Sequence, residues 1–273
     1  MEIRLDGKVV LVTGGTQGLG EAIARACAGS AVAGIAISGR DAARGAAVAT
    51  ALGAMGAPAT FVPGDLADPR APRAIVDATL ARFGRIDGLV NAAGVTTEAS
   101  LGDATPEAWD EIMAVNARAP FFLMQHAVAA MRAAGRGGSI VNIASVQAHC
   151  GTPALAVYAA SKAALVALTR NAANAHLRDR IRANAIAMGW TDTPAEHDKQ
   201  ARLLGKGPGW RDAAHASLPF GRLGRPEETA ALAVWLLSDI SGVTTGATID
   251  VEQWVVGAPP PRARATRHWS GRA

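Results

Sequence analysis

Short apolar runs alternate along this chain with longer stretches in which apolar residues recur every three or four positions. Runs at 9–12, 34–38, 60–62 and 86–91 read as buried strands, and the stretches near 18–29, 41–52 and 70–83 as helices between them. The second half continues with a long helical pattern over 106–134, a strand at 139–144, a helix near 155–177 and a strand at 182–187. A helix near 226–238 and a last strand at 247–251 close the series. Strand and helix in alternation imply right-handed crossovers, so the expected fold class is α/β: a doubly wound parallel sheet of about seven strands with helices on both faces. The interval 191–219 breaks the rhythm, with Gly205, Gly207, Pro208, Gly209 and Trp210 crowded together. It follows a strand's carboxyl end, where open α/β sheets bind ligands, and is expected to be a substrate lid.

Composition adds limits. At 273 residues the chain suits one large domain, placed at 1–257, followed by a Pro/Arg-rich tail over 258–273. The net charge is only +4, and Arg262, Arg264, Arg267 and Arg272 of the tail supply much of it. Spaced arginines in a tail that reads as solvated do not make a nucleic-acid footprint. Cys27 and Cys150 form neither a disulfide framework nor a paired-cysteine metal motif, and Cys150 reads as a packed thiol. The six histidines lack the i, i+4 spacing of a helical zinc pair, so no catalytic metal is expected. No charged-then-apolar leader opens the sequence and no apolar stretch reaches the roughly 18 residues of a membrane span, so a cytoplasmic protein is expected.

The first strand runs directly into Thr13-Gly14-Gly15-Thr16-Gln17-Gly18-Leu19-Gly20 and then a helix. Glycines in that setting accept positive φ and let the backbone approach a pyrophosphate at the helix N-terminus. The spacing Gly-x-x-x-Gly-x-Gly resembles that of the classical short-chain dehydrogenase/reductase family, and the resemblance extends over about residues 5–257. It implies a Rossmann-type fold and an NAD(P)-dependent oxidoreductase. Asp65-Leu66 is similar to the family's adenine-binding aspartate and its neighbour. Asn91-Ala92-Ala93-Gly94 resembles its Asn-Asn-Ala-Gly motif, with alanine for the second asparagine. Met188-Gly189-Trp190-Thr191-Asp192-Thr193-Pro194 resembles Pro-Gly-x-x-x-Thr with methionine for the proline, which implies nicotinamide contacts from the Gly189–Thr191 backbone and the Thr193 side chain.

The end of the second strand bears on the cofactor. A carboxylate there would accept the 2′-hydroxyl of NAD, whereas an arginine pairs with the 2′-phosphate of NADP. Ser38-Gly39-Arg40 puts glycine at the acid's place and Arg40 after it, which favours NADP over NAD. Asp41 reads as the cap of the next helix.

Tyr158 and Lys162 stand four residues apart at the start of a helical segment and so share a face. A free phenol is a poor base at neutral pH, but an adjacent ammonium, helped by an oxidised nicotinamide, stabilises the phenolate. Tyr158 then serves as general acid in reduction and base in oxidation. Ser145 ends a strand thirteen residues upstream, at the family's separation, and could hydrogen-bond the substrate oxygen. By resemblance Asn116 completes a catalytic set of four and holds a water behind Lys162, which also bonds the nicotinamide ribose.

Candidates for the substrate are Gln147, His149, Trp190 and Trp210, with Val95 and Thr96 nearby. Polar and indole groups suit a small hydroxy compound such as a sugar, polyol or hydroxy acid. His149 reads equally as a loop histidine satisfied locally. A 3-oxoacyl-type reductase, an epimerase or dehydratase working through transient oxidation, and a nicotinamide-sensing protein without turnover are the alternatives. The segment Asp250 to Gly257 lacks the family's glycine pair, and Glu252 and Trp254 could close the pocket or reach a neighbouring subunit. Relatives are commonly tetramers, and the alanine-rich helices at 107–134 and 155–177 would permit the close packing of a homotetramer.

Overall fold

Val9–Thr13 (β1) is buried along its whole length, and its alternate side chains enter two different cores. Val10 and Val12 pack on one face of the sheet and Leu11 on the other, as the two-residue period of a strand requires. In this computed structural model, which describes residues 2–149 and 151–258, β1 is the third strand of a seven-stranded sheet. Cys150 and positions 259–273 of the tail lie outside the described residues.

The other strands are Gly34–Gly39 (β2), Ala59–Pro63 (β3), Gly88–Asn91 (β4), Gly138–Ser145 (β5), Ile181–Met188 (β6) and Thr248–Val251 (β7). All pair in parallel in the order β3-β2-β1-β4-β5-β6-β7. Parallel neighbours need crossovers, which Gly18–Gly29 (α1), Ala42–Ala54 (α2) and Ala71–Phe83 (α3) supply in the first half. Each helix matches its predicted span closely. Asp41 caps α2, its carboxylate accepting from the Arg44 N–H at 2.9 Å. Because β1 lies between β2 and β4, the chain leaves it in opposite directions, and a crevice opens at the strands' carboxyl ends.

The long pattern over 106–134 is interrupted. Pro106–Met113 (α4) passes through a π-turn, Ala114–Arg118, into Ala119–Ala134 (α5). Pro120 has no N–H for the Asn116 carbonyl and its ring crowds that group, so the ladder widens there. The widened turn brings Asn116 fully inside. Single π-turns of this kind gather at functional positions. After β5 comes Ala156–Ala175 (α6), and Pro226–Leu237 (α9) covers the face opposite α3 and α5.

The irregular interval contains Pro194–Asp198 (α7), a π-turn at Lys199–Leu203 and Trp210–Ser217 (α8). Trp210, Ala214 and Leu223 form a small separate core with Trp190, Ala201 and Leu218 packed against it. The segment therefore has apolar support of its own.

Candidate active site

The turn after β1 is shaped by what cannot fit in it. Gly14 and Gly18 have φ of 68° and 55°. A Cβ on Gly14 would stand 2.8 Å from the Ala93 backbone, and one on Gly20 would stand 2.2 Å from the Gly14 carbonyl oxygen. The turn is thus pressed between α1 and the end of β4, with its peptide groups left as the lining. Gly14, Thr16, Gln17, Gly18, Leu19 and Gly20 border a continuous cleft with Arg40, Asp65, Leu66, Ala92 and Gly94. A bare backbone cradle at a helix N-terminus fits the pyrophosphate of a dinucleotide.

Further along the same cleft lie Tyr158 and Lys162. Tyr158, Ser145, Lys162 and Asn116 are 7 %, 6 %, 4 % and 0 % exposed, so each polar group needs a partner inside the protein. Lys162 Nζ donates to the Ile143 carbonyl at 2.7 Å. Asn116 clasps Val95, with Nδ2 donating to the Val95 carbonyl and Oδ1 accepting its N–H, both at 2.9 Å. Asn116 Nδ2 also reaches Ser161 Oγ at 3.1 Å, and Ser161 donates to the Tyr158 carbonyl at 2.7 Å. Ser145 Oγ accepts from the Gln147 N–H at 3.2 Å and hydrogen-bonds the Tyr158 side chain. Gly94 leaves room for this meeting, since a Cβ there would lie 3.4 Å from both Asn116 Oδ1 and Lys162 Nζ.

Burial pushes the Tyr158 phenol above its ordinary value, the Ser145 hydrogen bond pulls it back, and the negative charge of Glu196 pushes it up again. Burial alone lowers Lys162 to about 8. Its Nζ is 5.7 Å from the ring centroid and is bonded to a backbone carbonyl, so desolvation outweighs its charge.

A family model described as enoyl-(acyl carrier protein) reductase matches residues 14–253. A sorbitol dehydrogenase of Cereibacter sphaeroides is 35 % identical over 257 residues, covering 92 % of this chain and 98 % of that one. A 3-oxoacyl-(acyl-carrier-protein) reductase of Thermotoga maritima is 34 % identical over 254 residues, covering 93 % and 100 %. The crystal structure of L-sorbose reductase from Gluconobacter frateurii, complexed with NADPH and L-sorbose, superposes with a TM-score of 0.88. It is 29 % identical and covers 95 % of this chain and 100 % of that one. The chain is a classical short-chain dehydrogenase/reductase.

As a member of that family it is an NAD(P)-dependent oxidoreductase acting on CH–OH groups. Three residues that the resemblance placed at the cofactor do not border the cleft of this short-chain dehydrogenase/reductase. Asn91 points into the sheet, where its Nδ2 donates to Asn142 Oδ1 at 2.7 Å. Gly189 is covered by the Glu252 carboxylate, and Thr191 is buried beside Gly224, its hydroxyl turned to the Gly189 carbonyl. Thr193 does reach the cleft, near Gly18, and caps α7.

The four substrate candidates also stand off the cleft, although Val95 and Thr96 line it. Gln147 Oε1 accepts from the Thr152 N–H at 2.6 Å, and His149 pairs with Asp250 at 2.8 Å. Trp190 stacks on Trp210 at 6.2 Å between centroids, and Trp210, 5 % exposed, is taken up by the lid's own core. Glu252 folds back to accept the Gln253 N–H. Two residues went unnoticed in the sequence. Arg44 borders the cleft and bonds both Asp41 and Gln17, a position that its i+3 spacing from the capping aspartate could have indicated. Glu196 acts on Tyr158 from α7, and no local pattern marks it. Among the described residues no helix is long and apolar enough to cross a membrane, and no group of three His, Cys, Asp or Glu side chains could hold a metal ion.

Proposed function

We propose that this enzyme interconverts a small polyhydroxy alcohol and its carbonyl form, with NADP as the favoured cofactor and Tyr158 as the proton-transfer group. The meeting of Tyr158 and Lys162 at one end of the glycine-walled cleft, with Ser145 behind the phenol, carries this reading. A dinucleotide held by the glycine turn would supply the hydride acceptor for the carbinol carbon, or the hydride donor for the carbonyl carbon. Tyr158 accepts the hydroxyl proton in oxidation and donates it in reduction. Ser145, anchored by the Gln147 N–H, hydrogen-bonds the substrate oxygen and opposes charge developing there. Lys162, lowered to about 8 by burial, can exchange a proton with solvent more readily than a free lysine and so help to recharge the phenol. Asn116 positions the set through its clasp on Val95. The Asn116 carbonyl, denied a helical partner by Pro120, is left to hold a water.

Arg40 and Arg44 at the cleft rim would pair with a 2′-phosphate. A Cβ on Gly39 would lie 2.8 Å from Thr16 Cγ2, so the acid that would favour NAD is crowded out. The sugar-alcohol relatives support the substrate class. The Thermotoga relative and the family description favour a second reading, reduction of a 3-oxoacyl thioester. A homotetramer in the cytoplasm is part of the same proposal. It is supported by the shallow apolar groove of Met113, Ala117, Phe121, Ala164, Ala167 and Leu168 between the π-turn, α5 and α6. Sedimentation at a stable monomer mass would refute the tetramer.

Polyols, ketoses, hydroxy acids and a 3-oxoacyl thioester should be assayed with both cofactors, using Tyr158→Phe as control. Turnover of a polyol or ketose that is lost in the variant is expected. Turnover confined to the thioester would replace the polyol reading, and full activity in Tyr158→Phe would remove the mechanism.

A further inference from the structure

We propose that Glu196, on lid helix α7, selects an uncharged polyol over a hydroxy-acid anion at the carbinol site. The inference rests on the polyol reading above and adds the residue and the rule by which the site chooses.

The Glu196 carboxylate is held by two donors from the lid. Trp190 Nε1 and Gln200 Nε2 each reach Glu196 Oε1 at 2.7 Å. Both converge on the same oxygen, and among the described residues no hydrogen bond reaches Oε2 and no cation pairs with the group. The donors are themselves fixed, Trp190 by stacking on buried Trp210 and Gln200 by being 7 % exposed. A carboxylate pinned in this way is a stationary negative charge with one acceptor oxygen to spare.

Glu196 stands beside the cleft rather than in its wall. Thr193 and Ala195, just before it, border the cleft, and its charge is felt at the Tyr158 phenol. Beside it, Gln200 Oε1 is buried without a donor. Because Gln200 must turn its N–H to the carboxylate, that oxygen cannot exchange places with the nitrogen. Glu196 Oε2 thus lacks a donor within the protein, and Gln200 Oε1 beside it is a buried acceptor that is costly unless satisfied. A polyol offers hydroxyl donors at the carbons beyond the reacting one. A hydroxy-acid anion brings acceptors and a like charge, with no cation at Glu196 to offset it.

D-Sorbitol and D-gluconate make the matched probe, because they differ only in a terminal CH2OH against a carboxylate. In the wild-type holoenzyme kcat/KM should favour sorbitol. Glu196→Gln, which keeps an acceptor but removes the charge, should lower the sorbitol-to-gluconate ratio by about tenfold, chiefly through KM, with cofactor affinity unchanged. Glu196→Asp should keep the preference for sorbitol. A purely structural staple would change both substrates alike, so an unchanged ratio in Glu196→Gln, with turnover still dependent on Tyr158, overturns this inference and leaves the proposed function standing. Turnover of neither probe, together with activity on the 3-oxoacyl thioester, overturns both.

Discussion

Asn116, Ser145, Tyr158 and Lys162 stand on the π-turn before α5, the end of β5 and the first turns of α6, and none is more than 7 % exposed. The lid's polar residues stand on the short helices α7 and α8 and on the loops around them. There Asp192, His197 and Arg211 pair with one another at about one-third or more side-chain exposure. In the first region each polar group is committed to a backbone atom or a neighbour of fixed position, because an unsatisfied buried group costs about 1–3 kcal/mol. In the second, the Asp192 and His197 side chains are open enough for water to replace a partner. The catalytic floor therefore tolerates one arrangement, whereas the lid can change residue by residue and so adjust the substrate.

The sharpest way to break this contrast is at the floor. Tyr158→Phe removes only the hydroxyl from a buried ring, so the fold and the cleft should survive while kcat falls by about 10³-fold or more. Steady-state rates, combined with a cofactor fluorescence titration showing affinity unchanged within about twofold, would check it. A residual rate above about a tenth of wild type would mean that another group moves the proton.

The cleft's far end should respond next. Arg40→Ala with Arg44→Ala removes both cations at the rim, and the kcat/KM ratio for NADP over NAD should fall by about 10- to 100-fold, as for one or two charge-assisted hydrogen bonds. Arg44 contributes because its bonds to Asp41 and Gln17 hold it across the cleft mouth. If the ratio does not move, both arginines are only helix-flanking groups.

These two regions also differ in how legible they were in the sequence. Parallel strands buried on both faces leave continuous apolar runs, so the seven strands and the crossover helices could be read closely. The glycine turn and the Tyr158–Lys162 spacing were equally plain, because steric exclusion and helix periodicity act locally. The π-turn was not, since one extra residue hardly disturbs the period of a long helix, and only Pro120 hinted at it. Trp210 could not be placed from sequence, because exposure of an indole cannot be judged there. In the structure it is buried against Ala214 and Leu223 as an anchor of the lid. Nor could sequence show that the Asn91 side chain secures β4 to β5 through Asn142.

A smaller effect tests how strongly the floor is desolvated. Lys162 is lowered from 10.5 to about 8, so between those values the unfolded chain binds more protons and stability rises with pH. Cys27, raised from 9.0 to about 12, acts in the opposite sense above pH 9, and Tyr158 does so above 10. The clean window is therefore about pH 8 to 9. Across it the unfolding free energy of the wild type, relative to Lys162→Met, should increase with a slope approaching about 1.4 kcal/mol per pH unit. Denaturant titrations of the apoprotein at closely spaced pH values would measure it, and a flat difference would mean that water reaches the ammonium.

The smallest effect belongs to His149. Its Nε2 pairs with Asp250 at 2.8 Å, with side chains 35 % and 39 % exposed. An exposed pair of this kind contributes about 0–1 kcal/mol, so His149→Asn should shift Tm by no more than about 4 °C. Because the ring lies off the cleft and turns to the end of β7, sorbitol KM should change by less than about threefold. A tenfold rise in KM without a change in Tm would place His149 against the substrate after all. The contrast would then need redrawing, because a half-exposed pair at the end of β7 would choose the substrate together with Glu196, and the loop after β5 would belong functionally to the lid.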